Sequence, residues 1–185
     1  MHKPKDLLLP PLVLFVICAV ITAVLAVTNA ATKDVIAALE AETQAETMTR
    51  LIAADSFEED TGELDGEGFT YYQAISGEDV TGYVFVTAGH GYGGSVSVMT
   101  AVGEDGSILA MEVLSAADET PGLGANALKA DWWAQFIGKS GELAVSKDGG
   151  DIDALTGATI TSRAVVDAVN TALEQFSALE VGGNG

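Results

Sequence analysis

The sequence predicts an α+β protein: a single N-terminal transmembrane helix followed by a small mixed α/β domain. Three observations carry that expectation. Residues Leu7–Thr28 hold no charged side chain, although the 185-residue chain has a formal net charge of −19. Short β-rich segments then alternate with glycine-bearing turns between residues 70 and 114. Finally, apolar residues recur at helical spacing between Thr161 and Phe176. A chain that is 48% hydrophobic and this acidic must segregate the two kinds of residue, and it does.

The uncharged run comes first. As a helix, Leu7–Thr28 would span about 33 Å, enough for the hydrocarbon core of a bilayer. Pro10 and Pro11 fall near its start, where they disturb the first turns more than the middle. His2, Lys3 and Lys5 precede the run, whereas Lys33 is soon diluted by Asp34, Glu40, Glu42 and Glu46. The positive-inside rule therefore predicts a single-pass cell-membrane protein with residues 1–6 cytoplasmic, 7–28 spanning, and the rest outside. The alternative is a cleaved signal peptide ending near Thr28-Asn29-Ala30, but an apolar run of this length exceeds the usual core of one. The only cysteine, Cys18, lies within the run, so neither an intrachain disulfide nor a cysteine-ligated metal site is expected. The negative charge beyond the run argues against nucleic acid as a partner, because phosphates would be repelled.

Residues 29–69 are expected to connect the anchor to the folded domain. The stretch 32–54, rich in Ala, Glu, Leu and Thr, predicts a helix. The acidic run Asp55–Glu67 predicts a solvated loop; a cation-binding loop is the sharper alternative, but the spacing does not match an EF-hand. The domain itself is expected over 70–180. Thr70–Ile75 and Tyr83–Ala88 have strand composition around a Gly77–Gly82 turn, and Ser95–Val98 with Ile108–Leu114 predicts a hairpin across Gly103–Gly106. Leu128, Trp132 and Phe136 have helical spacing, predicting a helix over Asn126–Phe136 capped by Asn126. Thr161–Phe176 predicts a second helix, its apolar stripe formed by Ala164, Val165, Ala168, Val169, Ala172, Leu173 and Phe176. Residues 181–185 are expected to be a flexible tail.

Neither histidine, His2 nor His90, belongs to a cluster with metal-ligand spacing, so no metal site is expected, and no nucleophile-elbow motif supports a hydrolase. Two short polar segments stand out instead. In Asp118-Glu119-Thr120-Pro121-Gly122-Leu123-Gly124, proline fixes one backbone angle and the glycines allow close approach of a planar ligand, or simply a tight strand-to-helix turn. In Asp153-Ala154-Leu155-Thr156-Gly157-Ala158-Thr159-Ile160-Thr161-Ser162, four hydroxyls cluster ahead of a helix. The orphan amides and positive dipole of a helix start favour a phosphate there. Capping would need one hydroxyl, not four.

Asp153–Thr159 resembles the flavinylation motif Asp-x-x-(Ser/Thr)-Gly-Ala-Thr of FMN-binding domains in bacterial redox complexes. Glu119–Gly124 and Gly91-Tyr92-Gly93-Gly94 resemble two further hallmarks of those domains. The chain is most similar to G subunits of the Rnf complex, the ion-translocating ferredoxin:NAD⁺ oxidoreductase; the homologous C subunits of the sodium-pumping NADH:quinone reductase share the motifs. The resemblance implies a small mixed α/β FMN-binding domain and covalent FMN joined through its phosphate to Thr159 by a separate flavin transferase. It implies that Thr156, Gly157, Ala158, Thr161 and Ser162 surround the phosphate and ribityl chain. Glu119, Thr120, Leu123 and Gly124 would flank the ring. The implied role is an electron carrier with no catalytic site of its own, working beside the other membrane subunits of the Rnf complex and in contact with membrane lipid. A flavin subunit of the quinone reductase, a stand-alone extracytoplasmic FMN carrier and a redox-inert acidic binding domain are the alternatives.

Overall fold

The computed structural model describes residues 4–182. Residues 1–3 of the expected cytoplasmic N-terminus and 183–185 of the expected tail lie outside the described residues. The chain divides into two compact units, Met1–Ala45 and Glu46–Gly185.

One helix, α1, runs over Pro4–Leu51, and Pro10 and Pro11 lie inside it without ending it. The expected helix over 32–54 is thus its continuation, ending three residues earlier. Between Leu9 and Leu39 the large apolar side chains of α1 are exposed, among them Leu14 at 62%, Phe15 at 70% and Leu25 at 64%. Water would make such a helix unfavourable, whereas lipid would solvate it. The Thr28 and Thr32 hydroxyls donate to the carbonyls of Val24 and Thr28 within the same helix. Helix α1 is long and apolar enough to cross a membrane.

The second unit is built on a five-stranded antiparallel meander in the order β1-β2-β3-β4-β5. The strands are β1 (Ser56–Leu64), β2 (Glu67–Ser76), β3 (Asp79–His90), β4 (Ser95–Val102) and β5 (Ile108–Ser115). Strand β1 corrects the expected acidic loop: Glu58, Glu59, Asp60 and Glu63 lie in an edge strand paired in register with β2. Edge strands tolerate charge on both faces, and charge there discourages pairing with another chain. The β1–β2 link is the pair Asp65-Gly66, both with positive φ (54° and 85°), as a two-residue hairpin with the right twist requires. The β2–β3 turn is tighter than expected, since Ser76 already pairs with Asp79.

Helix α3 (Thr159–Gly182) covers one face of the sheet. It begins two residues before the expected start and continues through 181 and 182, which the sequence placed in a tail. Its predicted stripe is entirely buried, Ala164, Val165, Ala168, Val169, Ala172, Leu173 and Phe176, against Phe85, Val96, Val98 and Met111. Each of its larger apolar side chains contributes about 1.5–3 kcal/mol by leaving water. The Thr87 hydroxyl also donates to the Ala168 carbonyl at 2.8 Å, tying β3 to the helix. On the opposite face a smaller cluster of Met48, Ile52, Ala74, Val84, Met99 and Ala101 closes the core.

The helix expected over Asn126–Phe136 is not continuous. Two 3₁₀ turns, Gly124–Leu128 and Ala134–Phe136, flank a single α turn, α2 (Ala130–Trp133). Lys129 breaks the run with extended backbone at φ −85° and ψ 125°. Asn126 caps nothing; its side-chain amide donates back to the Gly122 carbonyl at 2.7 Å. The apolar spacing survives because Trp132 and Phe136 still meet edge to face at 5.7 Å.

Candidate functional site

The sheet brings the three glycine-bearing segments to one end of the second unit. Gly91–Gly94 joins β3 to β4, Glu119–Gly124 follows β5, and Asp153–Ala158 leads into α3. One side chain, Glu119, holds all three together. Its carboxylate accepts from the Gly93 amide at 2.9 Å and from the Thr161 hydroxyl on the first turn of α3 at 2.5 Å. Glu119 is buried. Burial alone would raise its pKa, but hydrogen bonds from Thr161 and from the amides of Gly93, Tyr92 and Gly94 outweigh it, holding the group below the ordinary carboxylate range.

This closeness explains the glycines. A Cβ at Gly93 would lie 1.8 Å from the Asp118 carbonyl oxygen, and one at Gly124 would lie 2.1 Å from Glu119 Oε2. No side chain fits at either place without moving backbone or the buried carboxylate. Gly157 has φ 76°, a left-handed conformation that turns the chain into the helix at little cost.

The segment before α3 is anchored from outside. The Trp132 indole donates to the Asp153 carbonyl at 2.7 Å, while the Asp153 amide donates to Gln135 Oε1 at 2.7 Å. The Ser162 hydroxyl accepts from the Leu155 amide at 2.9 Å and donates to the Ala158 carbonyl at 2.9 Å. The turn is thereby stapled onto the helix it precedes.

Around these struts opens a cleft of about 500 Å³, lined by Tyr92, Glu119, Thr120, Leu123, Gly124, Gly157, Ala158, Thr159, Ile160 and Thr161. Eight of the ten sequence-predicted site residues line it, and the other two, Thr156 and Ser162, do not. Thr156 is exposed beside the cleft, and Ser162 is fully buried with its hydroxyl committed to the backbone. Thr161 lines the wall but is itself buried and bonded to Glu119. Of the four hydroxyls read from the sequence, Thr159 is therefore the one that stands at the helix start, partly exposed and bordering the cleft.

Sequence reasoning missed Ile160 and Lys147, and took Tyr92 as part of a motif without assigning it to the site. Tyr92 and Ile160 are exposed beside Leu123, giving the cleft an apolar rim. Lys147 comes from a short 3₁₀ turn, Ser146–Asp148, and its ammonium donates to Thr159 Oγ1 at 2.7 Å. Beside it, Asp148 accepts two hydrogen bonds from Arg163, each 2.7 Å. The Arg163 hydrogen bonds hold the Asp148 carboxyl below its ordinary value, and Asp148 in turn raises Arg163.

The cleft suits a flat heteroaromatic group with a phosphate at one end. Its volume falls in the range of small-molecule sites, its rim is apolar, and its polar end is the hydroxyl and free amides of a helix start. A larger hollow, about 930 Å³, lies elsewhere on the unit and is lined by Glu63, Asp65, Asp105, Glu142 and Glu174 among others. Its carboxylates would repel the same phosphate. Among the described residues, no three His, Cys, Asp or Glu side chains form a metal-binding group.

Comparison with known proteins identifies the family. A family model described as an FMN-binding domain matches residues 91–174, from the β3–β4 loop into α3. The chain is 35% identical to the G subunit of the ion-translocating oxidoreductase complex of Methanosarcina acetivorans, over 97% of this chain and 100% of the relative. It is 36% identical to the G subunit of the proton-translocating ferredoxin:NAD(+) oxidoreductase complex of Clostridium ljungdahlii, over 89% and 88%. With the G subunit of the Na(+)-translocating ferredoxin:NAD(+) oxidoreductase complex of Acetobacterium woodii it shares 35% identity over 91% and 90%.

Proposed function

Given that the chain belongs to the family of G subunits of ion-translocating oxidoreductase complexes, we propose that it is a membrane-anchored electron carrier holding FMN as a phosphoester on Thr159. The observation that carries this reading is the position of Thr159. It is the first residue of α3 and borders the cleft, the hydroxyls of Thr161 and Ser162 after it are consumed by internal bonds, and Thr156 before it does not line the cleft. Helix α1 anchors the chain, and the flavin domain lies on the extracytoplasmic side, as the basic residues before the uncharged run Leu7–Thr28 favour. Its partners are the other membrane subunits of the Rnf complex.

A threonine hydroxyl is not acidic enough to react unaided, and this chain supplies no phosphate-binding loop or metal cluster among its described residues. Thr159 Oγ1 is therefore the acceptor for a separate flavin transferase. It bonds to the FMN-side phosphorus of FAD as the pyrophosphate bond breaks; AMP leaves, and the hydroxyl proton passes to a base on the transferase. Tyr92, Leu123 and Ile160, exposed at the cleft rim, would cover apolar ring surface and exclude water from it. The amides of the first turn of α3 would hold the phosphate end. Glu119 fixes the spacing between the two loops and the helix that form the cleft. Once bound, FMN supplies one- and two-electron transfer, and the protein positions it.

The test is to express the full chain beside a flavin transferase, denature it, and look for flavin fluorescence in the polypeptide band. The wild type should fluoresce and Thr159→Val should not. A dark wild-type band, with transferase and FAD present, contradicts covalent attachment. A reporter fused after Gly185 should be active outside the cytoplasm; activity inside overturns the orientation.

A further inference from the structure

We infer that Lys147 is the phosphate-binding residue of this site, and that the Asp148–Arg163 pair positions it. The inference rests on the proposed phosphoester at Thr159. The compact unit Glu46–Gly185 contains the basic residues Arg50, Lys129, Lys139, Lys147 and Arg163. Arg50 pairs with Glu112, Lys139 with Asp151 and Arg163 with Asp148. Lys129 makes no ion pair among the described residues. The Lys147 ammonium instead donates to a neutral hydroxyl, Thr159 Oγ1, the oxygen to which phosphorus would bond.

The arrangement is held at two points. Lys147 and Asp148 are adjacent on one turn, and Thr159 and Arg163 are four residues apart on one helix, hence on one face. Lys147 meets Thr159 while Asp148 takes both Arg163 hydrogen bonds, so the pair prevents the turn from sliding along α3. The turn is also closed on itself. The amides of Asp148 and Gly150 donate to the Val145 carbonyl at 2.8 and 3.1 Å, and the Ser146 amide donates to the Ile152 carbonyl at 2.8 Å. A flexible lysine is thus presented from a fixed base.

A phosphodiester carries one negative charge, and the field of this acidic chain opposes it. An ammonium already at the acceptor oxygen offsets that repulsion when the phosphate arrives and keeps it compensated afterwards. Lys147 acts through its charge alone and forms no covalent bond.

The experiment uses the full chain in detergent with a purified flavin transferase, FAD and Mg²⁺, and follows covalent flavin in denatured samples over time. Lys147→Gln should slow incorporation about tenfold or more, the scale of one charged hydrogen bond. Lys147→Arg should recover most of the rate, and both variants should keep the wild-type melting temperature, since Lys147 is exposed. Asp148→Asn should cause a smaller loss that disappears in the Lys147→Gln background. Wild-type incorporation by Lys147→Gln, or no rescue by arginine, overturns the role of Lys147; an undiminished Asp148→Asn effect in the double variant overturns the positioning. Incorporation into a parallel Thr159→Val sample would instead contradict the attachment site, so the two failures are distinguishable.

Discussion

Thr159 and Thr161 stand two residues apart on the first turn of α3, yet the fold treats them as opposites. Thr161 is 1% exposed and spends its hydroxyl on the buried carboxylate of Glu119. Thr159 is partly exposed, and its hydroxyl meets only the flexible end of Lys147. On the core side of the turn, hydroxyls build the cleft; on the outer side, one hydroxyl is left for chemistry. A cluster of like residues at a helix start thus divides its roles by helical geometry alone, because a turn of 3.6 residues cannot send neighbouring side chains the same way.

The sharpest way to break that comparison is to exchange the two losses. Thr159→Val should abolish covalent flavin while leaving the melting temperature nearly unchanged. Thr161→Val should leave Glu119 short of a buried donor and destabilise the unit by about 1–3 kcal/mol, while retaining flavin at Thr159 in the folded fraction. Calorimetry with in-gel fluorescence checks both, and equal behaviour of the two variants would end the distinction.

After the loss of flavin, the largest cost in stability is expected at Glu119 itself. Glu119→Ala strands the Thr161 hydroxyl and the Gly93 amide together and should cost about 2–4 kcal/mol by denaturant unfolding. Its pH dependence follows from the depressed folded pKa. The unfolded chain binds the proton more readily, so Glu119 stabilises the fold above the ordinary carboxylate range and loses that contribution as pH falls through the depressed value. The stability gap between wild type and Glu119→Gln should therefore narrow in acid, and a gap constant with pH would show that the charge is immaterial.

Gly93→Ala should come next, at about 1–3 kcal/mol, because its methyl group must displace the Asp118 backbone. The smallest expected change is at Arg50→Ala. Its ion pair with Glu112 lies on the surface, and the melting temperature should not measurably move.

What the sequence disclosed follows the same division between inside and outside. The buried stripe of α3 was legible because burial imposes a 3.6-residue period on a helix, and strands β2–β5 because their β-rich composition is bounded by glycine-bearing turns. The cleft was legible because glycines and hydroxyls are confined to three short segments. Strand β1 was obscured by its own charge: an edge strand needs no apolar period, and four of its residues are acidic. A signal was nevertheless present in Asp65-Gly66, a dipeptide typical of two-residue hairpins, which would have required a strand on either side. The break at Lys129 left no mark, since the apolar spacing of Leu128, Trp132 and Phe136 reads as one helix. Lys147 was invisible for a different reason. Twelve residues separate it from Thr159, and only the closure of Val145 onto Ile152 brings it back to the start of α3.

The attachment of FMN to Thr159 can be tested on a single peptide. Trypsin should cut after Lys147 and Arg163, releasing Asp148–Arg163 with Thr156, Thr159, Thr161 and Ser162 all inside it. Fragmentation of that peptide from protein matured with the transferase should find the FMN mass on Thr159. The same mass on Thr156, Thr161 or Ser162, or a peptide carrying none, would contradict the account.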